Sequence, residues 1–222
     1  MKSDAVSMRD VKSLLFAAKF YAILDASYLA PENFPSMCRA ALAGGADIVQ
    51  VRAKNADDAE YEKLLESVLP QFEGSDIPLI INDRLHIAQK YPRCGLHVGQ
   101  DDISPIVARE KLGPDRVIGL STHSIEQARA ALKLAPVLSY FCIGPVFATR
   151  TKPDYAPVGL KLVRNGHALN ADRLPIFCIG GINRKNVGEV VAAGAKRIVV
   201  VSDVLQAADP EEAVRQLRAA VR

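Results

Sequence analysis

The sequence predicts a TIM (β/α)8 barrel with an additional N-terminal helix, and three observations predict it. Eight short β-rich runs are separated by longer stretches with helical spacing, and strict alternation of this kind calls for a parallel sheet. The units run to about 25 residues each, which suits a barrel of eight. The rival, an open doubly wound sheet, often carries a GxGxxG turn after its first strand, and none follows Asp25. The expectation is a single barrel domain over residues 1–222, with 1–19 as an N-terminal helical extension.

The elements follow in order. KSLLFAAKF (Lys12–Phe20) holds an apolar core only from Leu14 to Ala18. That is too short for the h-region of a signal peptide, so the segment reads as a helix on the surface of the domain. The strand runs are FYAILD (Phe20–Asp25), DIVQVR (Asp47–Arg52), PLIIN (Pro78–Asn82) and GLHVG (Gly95–Gly99). RVIGLS (Arg116–Ser121), YFCIG (Tyr140–Gly144), PIFCIGG (Pro175–Gly181) and RIVVVS (Arg197–Ser202) complete them. Between them lie helical patterns such as AEYEKLLESVLPQF, SIEQARAALKLA and NRKNVGEVVAAG. In the second of these Ile125, Ala128, Leu132 and Ala135 share a stripe. The last helix has a strong start signal: Asp209 as cap, Pro210 in the first turn, then Glu211 and Glu212. Pro145–Gly159 is the longest stretch without periodicity, and such a loop in a compact domain is usually functional or disordered.

Composition narrows the function classes. Hydrophobic residues make up 49% and charged residues 24%, ordinary for a globular protein. A chain of 222 residues buries about 70–75% of its unfolded surface and needs no staples. The net charge of +3, with no block of Lys and Arg, argues against a nucleic-acid partner and leaves small anions open. No apolar run is long enough to span a membrane. Cys38, Cys94, Cys142 and Cys178 form no CxxC pair and sit in apolar company, as buried thiols of a reducing compartment do. The expected location is the cytoplasm and the expected partners are small molecules. A homo-oligomer is compatible with the sequence.

In this fold the active site lies at the C-terminal ends of the strands. The first ends on Asp25. In the second, alternation puts Gln50 and Arg52 on one face, with Lys54 continuing it. Polar residues facing into a barrel are unusual, and the competing reading turns Arg52 outward into a salt bridge. The third strand ends on Asn82 and Asp83, the fourth on Gln100, Asp101 and Asp102. Capping is the alternative here: Asp83 for the helix RLHIAQK, and Asp102 or Ser104 for the helix after Pro105. Carboxylates gathered at neighbouring strand ends repel one another, and a cation would relieve them. Few, all-oxygen ligands suit Mg2+ shared with substrate phosphates. The residues do not choose between Asp101 and Asp102.

The fifth strand ends on Ser121, Thr122 and His123, the last a candidate general base with no evident partner. His97, near the end of the fourth, reads more simply as a hydrogen-bonded core residue. The loop after the sixth holds Thr149, Arg150, Thr151 and Lys152, two hydroxyls and two cations suited to a polyanion. The seventh ends on Gly180 and Gly181, the eighth on Ser202. Those last two loops are the frequent phosphate site of this fold. Together the residues describe two anion sites in one pocket, as an enzyme needs to join a diphosphate-bearing substrate to a monophosphate-bearing one.

Seven segments then resemble one family in the right order: VQVRAK (49–54), IINDR (80–84), GLHVGQDD (95–102), GLSTHS (119–124), IGPVFATRTKP (143–153), IGGI (179–182) and VVVSDV (199–204). The family is thiamine-phosphate synthase, also called thiamine-phosphate pyrophosphorylase, and the resemblance runs from about Tyr21 to the C-terminus. It implies displacement of diphosphate from 4-amino-2-methyl-5-pyrimidinylmethyl diphosphate by the nitrogen of a thiazole phosphate, giving thiamine phosphate. It also implies that Asp83 and Asp102 hold magnesium, and that Asn82, Arg52, Lys54, Ser121 and Lys152 hold the diphosphate. Arg52, Lys54, Ser121 and Lys152 would carry the catalysis. Gln50 would meet the pyrimidine, and Thr149, Thr151, Gly181, Val201 and Ser202 the thiazole phosphate. The family usually has Glu where this chain has Ala53, a position expected to face away from the pocket. Three rivals stand beside this reading: a thiazole tautomerase using His123, an aldolase using Lys152 as Schiff base, and a barrel that binds metabolites without turnover.

Overall fold

The computed structural model describes residues 8–149, 155–170 and 173–221. Helix α1 (Met8–Ala17) leads into β1 (Phe20–Asp25), α2 (Phe34–Ala43), β2 (Ile48–Arg52), α3 (Asp58–Val68), β3 (Leu79–Asn82), α4 (Leu85–Lys90) and β4 (Gly95–Val98). The chain continues through α5 (Pro105–Leu112), β5 (Ile118–Thr122), α6 (Ile125–Lys133), β6 (Tyr140–Ile143), α7 (Gly159–Asn170) and β7 (Ile176–Ile179). It ends with α8 (Val187–Ala192), β8 (Ile198–Val200), α9 (Ser202–Leu205) and α10 (Pro210–Ala220). Each strand pairs in parallel with its sequence neighbours and β8 pairs with β1, closing an eight-stranded barrel.

Alternation along each strand builds two cores. Phe20, Ala22, Leu24, Val49, Val51, Leu79 and Ile81 point outward and pack beneath the helices. Tyr21, Ile23, Ile48, Ile80, Tyr140, Phe177 and Val199 fill the inside. Ala53 belongs to the outer core, facing away from the barrel interior as expected. The helix starts are set by polar side chains that accept otherwise orphaned N–H groups. Asp57 and Glu60 form a reciprocal capping box at α3, and Ser104, Ser124 and Asp209 cap α5, α6 and α10. Helix α8 is shorter than the pattern in NRKNVGEVVAAG because Asn183 and Asn186 turn the chain first. The Asn183 N–H donates to Asn186 Oδ1 at 2.8 Å, and the Lys185 N–H to Asn183 Oδ1 at 2.9 Å.

Helix α1 is more than the surface helix expected. Its Leu15 is fully buried among the inward-facing residues of the strands, with Ala18 beside it. Arg197, just before β8, donates to the carbonyls of Leu15 and Phe16 at the end of α1, and the Ile198 N–H bonds Lys19 O at 2.9 Å. The helix therefore closes the N-terminal end of the barrel, opposite the strand ends that carry the polar residues. Among the described residues no helix is long and apolar enough to cross a membrane.

Candidate active site

The C-terminal strand ends surround a cavity of about 750 Å3. Gln50 and Arg52 enter it from β2, both almost fully buried, so the outward salt-bridge reading of Arg52 does not hold. Its Nη1 instead meets Asp25 Oδ2 at 2.5 Å. The second oxygen of Asp25 accepts the Ser27 N–H at 2.9 Å. Arg52 thus reaches the cavity already paired and oriented, with donors left for an anion.

Asn82 also lines the cavity. Its backbone N–H donates to the Tyr61 hydroxyl at 3.0 Å, and that hydroxyl donates to Val51 O at 2.7 Å. One phenol from α3 therefore ties the ends of β2 and β3 together. Asp83 follows with φ at 63°, a left-handed conformation costly for a residue with a side chain. Its N–H still reaches His97 O at 2.9 Å, so the kink occurs without loss of register to β4. Asp83 does not cap α4, whose cap position is Arg84 and has no side-chain cap bond. Its Oδ2 lies 3.7 Å from Lys54 Nζ. Arg84 holds the same loop by donating to the carbonyls of Ala53 and Ala56 and to the Asp58 carboxylate, with its guanidinium 4.8 Å from the Tyr61 ring centre.

Asp102 does not cap α5, since Ser104 does. It closes the turn after β4 by accepting the Gly99 N–H on Oδ2 at 2.7 Å. Lys54, Asp83 and Asp102 are not among the residues lining the cavity. Among the described residues no three His, Cys, Asp or Glu side chains form a cluster able to hold a metal alone. Asp83 and Asp102 offer oxygen donors only, the kind a hard cation takes when water or substrate completes its shell.

Ser121 enters from β5 and meets His97 Nε2 through Oγ at 2.9 Å. The other ring nitrogen of His97 meets Tyr140 OH at 3.1 Å. Tyr140 OH meets Tyr21 OH at 3.0 Å, and Gln50 Nε2 donates to Tyr21 OH at 2.6 Å. Burial holds both phenols well above the usual tyrosine pKa. Nothing in the sequence marks Tyr21 or Tyr140 for a role, and His97 reads there as a hydrogen-bonded core residue. The available signal was the strand alternation that turns all three inward. His123 lines the cavity as well; its Nδ1 donates to Gly144 O at 2.5 Å, and its ring packs 4.4 Å from that of Tyr155.

The far side of the cavity is formed by Thr149, Gly180, Gly181, Val201 and Ser202. Gly180 and Gly181 have φ of 100° and 65°. A Cβ on Gly181 would come within 2.7 Å of Ala148 O and Phe147 Cβ, so the glycine lets the loop after β6 pack closely. Ser202 begins the short helix α9. Thr151 and Lys152 lie outside the described residues.

Comparison with known proteins identifies the family and the fold. The family model described as thiamine monophosphate synthase matches residues 20–204. A thiamine-phosphate synthase of Acidothermus cellulolyticus is 41% identical over 209 residues, covering 94% of this chain and 97% of that one. One from an Arthrobacter species is 43% identical, covering 95% and 97%. The solved thiamine phosphate pyrophosphorylase of Pyrococcus furiosus superposes with a TM-score of 0.81 at 31% identity, covering 95% of this chain and 97% of that chain. With the eight-stranded barrel and the polar cavity at its strand ends, these matches establish that the chain belongs to the thiamine monophosphate synthase family, enzymes of thiamine biosynthesis.

Proposed function

We propose that this chain is a magnesium-dependent transferase that moves a pyrimidinylmethyl group from diphosphate to the ring nitrogen of a thiazole phosphate. The observation that carries the reading is a cavity with two polar walls. Gln50, Arg52, Asn82 and Ser121 form one, and Gly181, Val201 and Ser202 the other, with Thr149 at its edge. Two differently charged substrates side by side account for both.

In the reaction the methylene carbon–oxygen bond breaks and its electron pair leaves with diphosphate. The thiazole nitrogen supplies the pair for the new carbon–nitrogen bond. The pyrimidine amino group can feed electrons towards the departing methylene, so no protein nucleophile is required. What the protein must supply is neutralisation of the growing charge and alignment of the partners. Arg52 and Ser121 donate to the diphosphate, Asn82 beside them, and Lys54 and Lys152 would add positive charge. Gln50 orients the pyrimidine. Asp83 and Asp102 would hold a magnesium ion, which when bound neutralises diphosphate oxygens. Thr149, Thr151, Gly181, Val201 and Ser202 would fix the thiazole phosphate. A cytoplasmic location is part of the proposal. Incubating the protein with both substrates and Mg2+ should release thiamine phosphate and diphosphate in equal amounts; release of neither would overturn it.

A further inference from the structure

We infer that Gln50, Tyr21, Tyr140, His97 and Ser121 form one directional hydrogen-bond relay across the barrel, which fixes Gln50 as an acceptor and Ser121 as a donor towards the substrate. The proposal rests on the reading of the cavity as the pyrimidine diphosphate site and adds to it how the ring is selected. The relay takes residues from β2, β1, β6, β4 and β5 in turn. Tyr21 and Tyr140 are not among the residues lining the cavity and act as positioning residues beneath it.

Proton counting sets the direction. Gln50 Nε2 donates to Tyr21 OH at 2.6 Å, so the single proton of Tyr21 goes to Tyr140 OH, 3.0 Å away. The proton of Tyr140 then goes to His97 Nδ1 at 3.1 Å. A neutral imidazole that accepts on Nδ1 carries its proton on Nε2, and Nε2 donates to Ser121 Oγ at 2.9 Å. The hydroxyl proton of Ser121 is left for an acceptor in the cavity, and the amide oxygen of Gln50 for a donor. With His97 neutral and every buried proton paired, reversing any one bond reverses all of them. Gln50 would then offer its donors to the ligand and Ser121 its lone pairs.

The surroundings preserve this chain. All five side chains are less than one-tenth exposed, and buried donors keep their acceptors at a premium. The His97 and Tyr140 rings stack at 5.6 Å and 22°. Phe177 packs edge-on against both phenols, at 5.7 and 5.3 Å. Gly119 leaves the room the chain needs: a Cβ there would fall 2.4 Å from Tyr140 OH and 2.6 Å from His97 Nδ1. The two ends therefore read the substrate as a pair. A ring bearing an amino group at Gln50 and an anionic oxygen at Ser121 satisfies the direction. A ring with an oxo group in place of the amine faces the amide oxygen with another acceptor.

Two measurements test the relay. Nitrogen NMR of 15N-histidine-labelled, ligand-free protein, with His97 assigned from a His97→Asn variant, should find the Nε2–H tautomer. The Nδ1–H tautomer would overturn the direction. The second compares the aminopyrimidine diphosphate with its oxo analogue in wild type and in Tyr140→Phe, which cuts the relay midway. The wild-type preference for the amine should shrink by about tenfold or more, through KM more than kcat. An unchanged preference in a folded Tyr140→Phe protein would overturn the relay. Tyr21→Phe removes the neighbouring bond if Tyr140→Phe does not fold. Failure of wild type to turn over at all would count against the proposed reaction, while the tautomer still judges the relay.

Discussion

Asp25 and Arg52, at the C-terminal ends of adjacent strands β1 and β2, form an ion pair of 2.5 Å with both groups buried. The carboxylate has no solvent exposure and Arg52 opens on the cavity. Removing one partner of such a pair leaves an uncompensated buried charge, which costs about 3–5 kcal/mol. Asp25→Asn should lower the urea midpoint accordingly. Added inorganic diphosphate should raise the midpoint of the variant more than that of wild type, because the anion replaces the missing partner of Arg52. Equal gains in the two proteins would count against an anion seat at Arg52.

At the rim, Asp83 and Asp102 are expected to depend on one another through the cation. Asp83→Asn and Asp102→Asn should each lower turnover by on the order of 10²–10³, the usual loss when one strong electrostatic contact at a transition state is removed. Asp101→Asn should be nearly silent, since it is Asp102 that the Gly99 N–H holds in place. Full turnover in excess chelator would dismiss the metal.

Much of the barrel was legible because the relevant signals are local. Alternation in DIVQVR turned Gln50 and Arg52 inward and Val49 and Val51 outward, and closure of the sheet left that intact. Helix caps were legible for the same reason, as at Asp209. What escaped depends on groups distant in sequence. In FYAILD and YFCI nothing marks Tyr21 and Tyr140 as hydrogen-bonded to each other, because they are 119 residues apart. The pairing of Asp25 with Arg52 needed the β1–β2 register. Helix α1 was recognisable as a helix, but which face of the domain it covers is set by Leu15 finding the open end of the barrel.

Alkaline pH should unfold the protein more readily than its modest charge suggests. Burial pushes the thiols of Cys38 and Cys178 up to about 12 and that of Cys94 to about 11. It also raises the phenols of Tyr21, Tyr61 and Tyr140. A group with a raised folded pKa binds its proton more tightly when folded. Its contribution is whole below its unfolded pKa, near 9 for a thiol, and is lost as pH climbs towards the folded value. Each such thiol removes up to ~1.4 kcal/mol per pH unit in that window. The urea midpoint should therefore hold from pH 7 to 8.5 and fall steeply from 9 to 11. A flat profile would mean that these thiols and phenols ionise in the folded protein.

The thiazole phosphate end needs a test that leaves the backbone alone. Gly181→Val is a poor one, for the new side chain would drive into Phe147 and Ala148, and φ of 65° disfavours any branched residue. It would displace the loop that carries Thr149 along with whatever the glycine itself binds. Ser202→Ala changes only a hydroxyl, at the half-buried start of α9 on the cavity wall. A hydrogen bond to a charged phosphate is worth about 1.5–3 kcal/mol, so the variant should bind the thiazole phosphate about tenfold or more weakly. Binding of the pyrimidine diphosphate, which Arg52, Asn82 and Ser121 are proposed to hold on the opposite wall, should change little. Calorimetry with each ligand alone separates the two. Equal weakening of both would mean that the cavity is one undivided anion site, and no weakening of either would place the thiazole phosphate away from Ser202.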